Sequence, residues 1–195
     1  MSHPWAPDAS LWRRLLKIDQ ETAARIRKGG CRHCGGPLHR ADYPRKPRGA
    51  LGAFEAAFCT RLSFCCGHCR RRTTPPSVRF LGRKVYVGEL VLRASVALQT
   101  LKELGRAVLG VPARTVRRWL CWWREGLTSS SFWKVTRALF MPPLNESALP
   151  ASLLERFAES DAALGVRALA FMAPVTTGSS SNVRVDVTHA EDGAW

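Results

Sequence analysis

At 195 residues, 46% of them hydrophobic, the chain can build one compact domain or two or three small modules in series, and has no room for a large catalytic domain beside them. No stretch approaches the roughly eighteen uninterrupted apolar residues of a membrane span, so no membrane partner is expected. The net charge of +15 is unevenly placed: residues 25–84 carry fifteen Lys and Arg against Asp42 and Glu55, residues 85–125 seven against three, and residues 126–195 five against seven. A surface evolved for solubility mixes the two signs, whereas a concentrated basic block points to a polyanion, nucleic acid first, over the bland alternative of a solvated loop.

Residues 1–10 lack the basic start and apolar run of a secretory signal, which leads us to expect a cytoplasmic protein of bacterial type, at the nucleoid if it binds DNA. The first unit, residues 1–29, is expected to be a helix over residues 10–28. Leu11, Leu15, Ile18, Ala23 and Ile26 fall near one stripe, Ser10 or Asp8 can cap the start, and Gly29-Gly30 ends it.

From residue 30 to 86 the pattern shifts to short segments rich in Gly, Pro and Arg, with apolar/polar alternation at residues 61–64 and 78–81, as in a small β ribbon with long loops. Within it stand Cys31-Arg32-His33-Cys34-Gly35-Gly36 and Cys66-Gly67-His68-Cys69. Two thiolates separated by two residues can grip one tetrahedral ion at about 2.3 Å per bond, and two such pairs close the shell. A reducing cytosol does not sustain disulfides, and seven cysteines are an odd number for a disulfide framework. Cys31, Cys34, Cys66 and Cys69 are therefore the candidate ligands of a structural Zn2+, with no open position for substrate. Cys65 could replace Cys66, but alternation through Leu62, Phe64 and Cys66 turns Cys66 inward. Cys59 reads as a small core residue. His33, His39 and His68 could also ligate, although a histidine inside a knuckle is expected to face solvent or phosphate.

Residues 87–127 return to helical spacing. Val87, Leu90, Val91, Ala94 and Leu98 mark one face, with Glu89 and Arg93 off it. Thr100-Leu101-Lys102-Glu103 is a capping box that should open a short helix with Leu101, Leu104 and Val108 inside, ending at Gly110. Gly110 and Val111 would be the turn, and Pro112 suits the first turn of a second helix running to about Gly126. On that helix Val116, Trp119, Leu120 and Trp123 form the packed face, and Arg114, Arg117, Arg118 and Arg124 lie off it. This is the pattern of a helix-turn-helix, and also of any helical bundle with core tryptophans. Read as the former, Arg114, Thr115, Arg117 and Arg118 are candidates for base-edge contact, while the ribbon arginines Arg70, Arg71 and Arg72 would hold phosphates. Residues 128–174 should form a C-terminal helical segment, with helices over residues 132–139 and 149–173 broken by Pro142-Pro143. Residues 175–195 read as a disordered tail. The expected fold is thus mainly α with a small β zinc ribbon, followed by a helix-turn-helix and a C-terminal helical segment.

The run Leu109-Gly110-Val111-Pro112-Ala113-Arg114-Thr115-Val116-Arg117-Arg118-Trp119, following a CxxC ribbon, resembles the recognition regions of bacterial insertion-sequence transposases and their small accessory proteins over about residues 30–125. The resemblance implies a mobile-element accessory factor or regulator that binds duplex DNA, alone or beside a transposase or recombinase. Such transposases also carry an acidic triad for two-metal strand cleavage. Here the acids after residue 126 are Glu146, Glu155, Glu159, Asp161, Asp186, Glu191 and Asp192, with no βαβ pattern to gather them, so no enzyme is expected within this chain. The alternatives are a non-catalytic fragment or subunit of a transposase or recombinase, or a zinc ribbon that grips RNA. The near-neutral residues 132–173 offer a surface for a partner or for a homodimer.

Overall fold

The apolar stripe at the start of the chain forms α1 (Ala9–Gly29), and this helix belongs to two cores at once. In the computed structural model, which describes residues 9–50, 52–81, 86–100, 107–108, 110–157 and 161–177, Leu11, Trp12 and Leu15 enter the larger core. One end of the helix serves the smaller core, where Ala23 meets Cys31, Leu38, Phe64 and Cys66. The helix stops where Gly30 adopts a φ of 72°, a left-handed turn that costs glycine little.

The structure is mostly helical with a small antiparallel sheet. That sheet joins β1 (Leu38–Arg40), β4 (Phe64–Cys66) and β5 (Arg72–Thr73) in the order β1-β4-β5, with Leu38 opposite Cys66 and Phe64 opposite Thr73. Between β1 and β4 in sequence lie β2 (Tyr43–Pro44) and β3 (Thr60–Arg61), which pair as a separate ribbon, and the single turn α2 (Glu55–Phe58). The alternation at residues 78–81 does not make a strand. Val78, Arg79, Phe80 and Leu81 are all buried, and Phe80 alone bridges, to Val87. The reason is α1: the Asp19 carboxylate accepts the Val78 N–H at 2.7 Å and the Arg79 Nε–H at 2.7 Å, so side-chain bonds replace a ladder. Arg79 completes its set on the carbonyls of Ala57 (2.7 Å) and Thr60 (3.2 Å) and lies over the rings of Phe58 and Phe80.

Helix α3 (Gly88–Thr100) packs against α4 (Ala113–Cys121) and α7 (Asp161–Met172). Flanked by both, it buries Val91, Leu92, Ala94, Ser95 and Ala97, more than one stripe. Glu89, expected off the apolar face, is buried as well and pairs with Arg93 one turn on, which keeps its charge compensated inside. The short helix expected before Gly110 is replaced at its end by a hairpin, β6 (Ala107–Val108) with β7 (Val111–Pro112). Val108 faces Val111 across a two-residue loop, which closes through Gly110 at φ 75°. The first part of that helix and its capping box, residues 101–106, lie outside the described residues.

Helix α4 runs on into a π-helical stretch, Trp122–Leu127. It is followed by α5 (Ser131–Thr136), capped by the Ser130 hydroxyl, which accepts the Trp133 N–H at 3.2 Å. The single helix expected over 149–173 is two, α6 (Ala151–Arg156) and α7. The chain turns at Phe157 so that its ring reaches Phe140 and Phe171 at 6.1 and 5.9 Å. The larger core gathers Leu11 and Trp12, Phe58 and Leu81, Trp119 and Trp123, and Leu153 and Leu169, so every expected unit from the first to the fourth contributes to it. Thr176, placed in the expected tail, is itself docked: its hydroxyl accepts the Ser77 N–H at 3.0 Å. Residues 178–195 of that tail lie outside the described residues.

Candidate metal centre

Each CxxC pair folds as a knuckle, and the two are built alike. In the first, Cys31 N–H donates to the Gly36 carbonyl (2.9 Å) and Gly35 N–H to the Cys31 carbonyl (2.8 Å). In the second, Cys66 N–H donates to the Arg71 carbonyl (3.0 Å) and Arg70 N–H to the Cys66 carbonyl (3.2 Å). The fifth position of each is left-handed, Gly35 at φ 69° and Arg70 at φ 59°. The third position of each rests against the sixth of the other. A Cβ on Gly36 would lie 2.6 Å from His68 Nδ1, and Arg71 Nη1 is 2.9 Å from His33 Nδ1. The knuckles are thus related by an approximate two-fold.

This arrangement brings Cys31, Cys34, Cys66 and Cys69 together, with all four Sγ atoms within 4.8 Å of one another. Cys31 and Cys69 are 3.6 Å apart, Cys34 and Cys66 3.5 Å. Four bonds of about 2.3 Å in a tetrahedron place sulfurs about 3.8 Å apart, so the set fits a metal such as zinc with small adjustment. Backbone amides point at the sulfurs as a thiolate centre requires. Cys69 N–H lies 3.4 Å from Cys66 Sγ, and with the amide of His68 it overcomes burial to draw the Cys66 thiol down to about 6. The amides of His33 and Cys34 lower Cys31 in the same way. At Cys69 the Arg71 amide favours the thiolate, but burial and three neighbouring thiols outweigh it and push the group up to about 12. Four thiolates cannot crowd together without a cation between them.

Cys65 points elsewhere. Strand β4 alternates buried, half-buried, buried through Phe64, Cys65 and Cys66, and Cys65 Sγ reaches the Arg70 carbonyl at 3.5 Å. Cys65→Ser should therefore leave metal content unchanged and stability within about 0.5 kcal/mol of the parent. Metal lost in proportion to that variant would reassign the ligand. The nearby histidines are not gathered with the four sulfurs. His39 lies on β1 opposite Cys65, with its Nε2 2.8 Å from where a Cβ on Gly67 would be.

The predicted nucleic-acid residues fall into two groups. On α4 and the π-helical stretch after it, Val116, Trp119 and Trp123 are buried, Leu120 half-buried, and Arg114, Arg117 and Arg118 exposed, with Thr115 between. Near the knuckles, Arg70, Arg71 and Arg72 are all exposed, and Arg72 is tethered, donating to the Ala41 carbonyl (3.0 Å) and Ser63 Oγ (3.2 Å) and lying over Tyr43. The basic block is further depleted from within. Arg79 is 1% exposed beside Asp19, and Arg61 is 3% exposed, bonded to the Pro75 carbonyl. Burial lowers the Arg61 pKa from its ordinary value. The sequence reasoning missed the left-handed Arg70 and its neighbour's contact with His33. Aligning the two knuckles position by position would have exposed the first, since glycine stands at the matching place.

No protein-family model, curated protein or solved structure matches this chain at a significant level.

Proposed function

We propose that this is a zinc-stabilised, non-catalytic protein that binds duplex DNA, with α4 as its recognition helix and the knuckles as a phosphate-gripping base. The observation that carries the reading is the division of α4. One side is locked into the core by Ala113, Val116 and Trp119, while Arg114, Arg117 and Arg118 project to solvent, and none of the ion pairs among the described residues involves them. An exposed arginine row on a rigid helix can enter a major groove and pair twice with guanine. Helix α3 would take the part of the supporting helix, because it packs on α4 and the two are joined through the β6–β7 hairpin. The resemblance of residues 109–119 to transposase recognition regions supports a role in transposition, as accessory factor or regulator.

Binding of the zinc-loaded chain to duplex DNA between 50 and 200 mM salt, values spanning the range in which phosphate contacts are lost, tests this. Arg117→Ala and Arg118→Ala should each weaken binding by about 1–3 kcal/mol if they read bases, or flatten the salt slope by about one if they hold phosphates. Unchanged affinity and slope in both would reject the recognition helix. Preference for structured RNA over duplex in direct competition would move the protein to the RNA-binding reading. Cleavage of element ends with Mg2+ would move it to the enzymes.

A further inference from the structure

We infer that the second knuckle is a binding site for a backbone phosphate of nucleic acid, formed by Arg70 and Arg71 with His33 of the first knuckle steadying Arg71. The inference rests on the nucleic-acid reading above and adds to it a specific site.

The approximate two-fold is what makes the site visible. At the fifth and sixth positions the first knuckle carries Gly35 and Gly36, and the second carries Arg70 and Arg71. The fifth position is left-handed in both, a conformation that glycine adopts freely and that an L side chain resists. Gly36 has a packing reason, since His68 occupies the space a side chain would need. Arg70 has none: a glycine would serve the knuckle better, yet an exposed arginine stands there. A costly backbone geometry held at a surface cation is the kind of outlier that points to a ligand.

The electrostatics agree. Residues 25–84 contain two carboxylates, Asp42 and Glu55. Asp42 is occupied by Arg40 and by the Ser63 N–H, and no ion pair among the described residues involves Arg70 or Arg71. Arg71 instead faces His33. A guanidinium only donates, so His33 Nδ1 accepts and its proton sits on Nε2, which leaves a second donor beside the arginine. The exposed guanidinium groups of Arg70 and Arg71, with the imidazole N–H beside Arg71, are donors of the kind that bind the oxygens of a phosphodiester. Arg72, adjacent in sequence, is excluded because its side chain is already committed to Ala41, Ser63 and Tyr43.

The test compares Arg70→Gly, Arg71→Ala, His33→Ala and Arg72→Ala in the full zinc-loaded chain, with a short mixed-sequence DNA duplex as probe. Arg70→Gly should raise the thermal midpoint by a few degrees, as relief of a left-handed residue does, and still weaken binding roughly three- to tenfold with a salt slope smaller by about one. Arg71→Ala should show the same binding loss without the gain in stability. His33→Ala removes no guanidinium and should weaken binding less, at an unchanged slope. Arg72→Ala should lower the midpoint and leave affinity and slope alone. Wild-type affinity and slope in both Arg70→Gly and Arg71→Ala would overturn the inference. So would loss of zinc from Arg70→Gly with affinity unaffected at matched zinc content, because the arginine would then serve the thiolates. If Arg117→Ala and Arg118→Ala lose binding in the same assay while the knuckle variants do not, the phosphate site fails and the recognition helix stands. No binding of the parent chain to any nucleic acid overturns both.

Discussion

Replacing Cys66 by serine, or removing bound metal with a chelator at neutral pH, is expected to unfold the knuckles and the β1-β4-β5 sheet, residues 31–40 and 64–73, and to release the end of α1 that rests on them. The smaller core has five buried members, Ala23, Cys31, Leu38, Phe64 and Cys66, and two of these are candidate ligands themselves. The strands around it are two or three residues long. Apolar burial on that scale cannot offset the backbone entropy of about twenty residues, whereas a structural zinc contributes on the order of 10–16 kcal/mol. Metal content, far-ultraviolet circular dichroism and limited proteolysis would follow the loss, with Cys121→Ser as a control that keeps the metal. A chelated protein that retains both its midpoint and its protease resistance across this segment would show that the sheet stands without a metal. Acid should act in the same direction. The Cys69 thiol, pushed up to about 12, is protonated at neutral pH until a metal displaces that proton, and below about 6 the Cys66 thiolate is protonated too. Apparent metal affinity therefore falls as pH falls.

Asp19→Ala is expected to destabilise the chain by about 3–5 kcal/mol, the cost of breaking a buried ion pair from one side. That is a large part of the roughly 5–15 kcal/mol available to a domain. The carboxylate is 2% exposed and accepts from Arg79, the Val78 amide and the Ser77 hydroxyl, so its removal leaves a guanidinium, an amide and a hydroxyl without their acceptor. The Arg79 guanidinium, 1% exposed and still held by the carbonyls of Ala57 and Thr60, is then left without its counter-ion. The double replacement Asp19→Leu with Arg79→Met should recover part of the loss, because the uncompensated charge goes with the arginine. Urea denaturation of the parent, Asp19→Leu, Arg79→Met and the double variant gives the coupling directly. A cost below about 1 kcal/mol for Asp19→Ala would mean that water reaches the node.

How far these residues could be recognised in advance depends on how local their chemistry is. Four cysteines in two CxxC pairs are legible because the spacing is itself the bite of a tetrahedral ion, and the choice of Cys66 over Cys65 follows from strand alternation alone. The stripe of α1 and the two-sided character of α4 are legible for the same reason, since one turn of helix determines which residues share a face. The hairpin at Val108 and Val111 was masked by a good capping box just before it, and the burial of Glu89 by the rule that charges lie outside.

The arginines divide the two kinds of information most clearly. From residues 25–84 alone one reads a basic block and a polyanion partner, and composition cannot rank its members. Tertiary structure buries Arg79 on a carboxylate sixty residues away and Arg61 on the Pro75 carbonyl, ties the exposed Arg72 to Ala41 and Ser63, and leaves Arg70 and Arg71 exposed outside any ion pair among the described residues. The sequence by itself determined the metal knuckles and the helix faces, because both are set within a few bonds or one turn. Which cations remain for a ligand was decided only by folding, since a guanidinium goes wherever distant acceptors and aromatic rings converge.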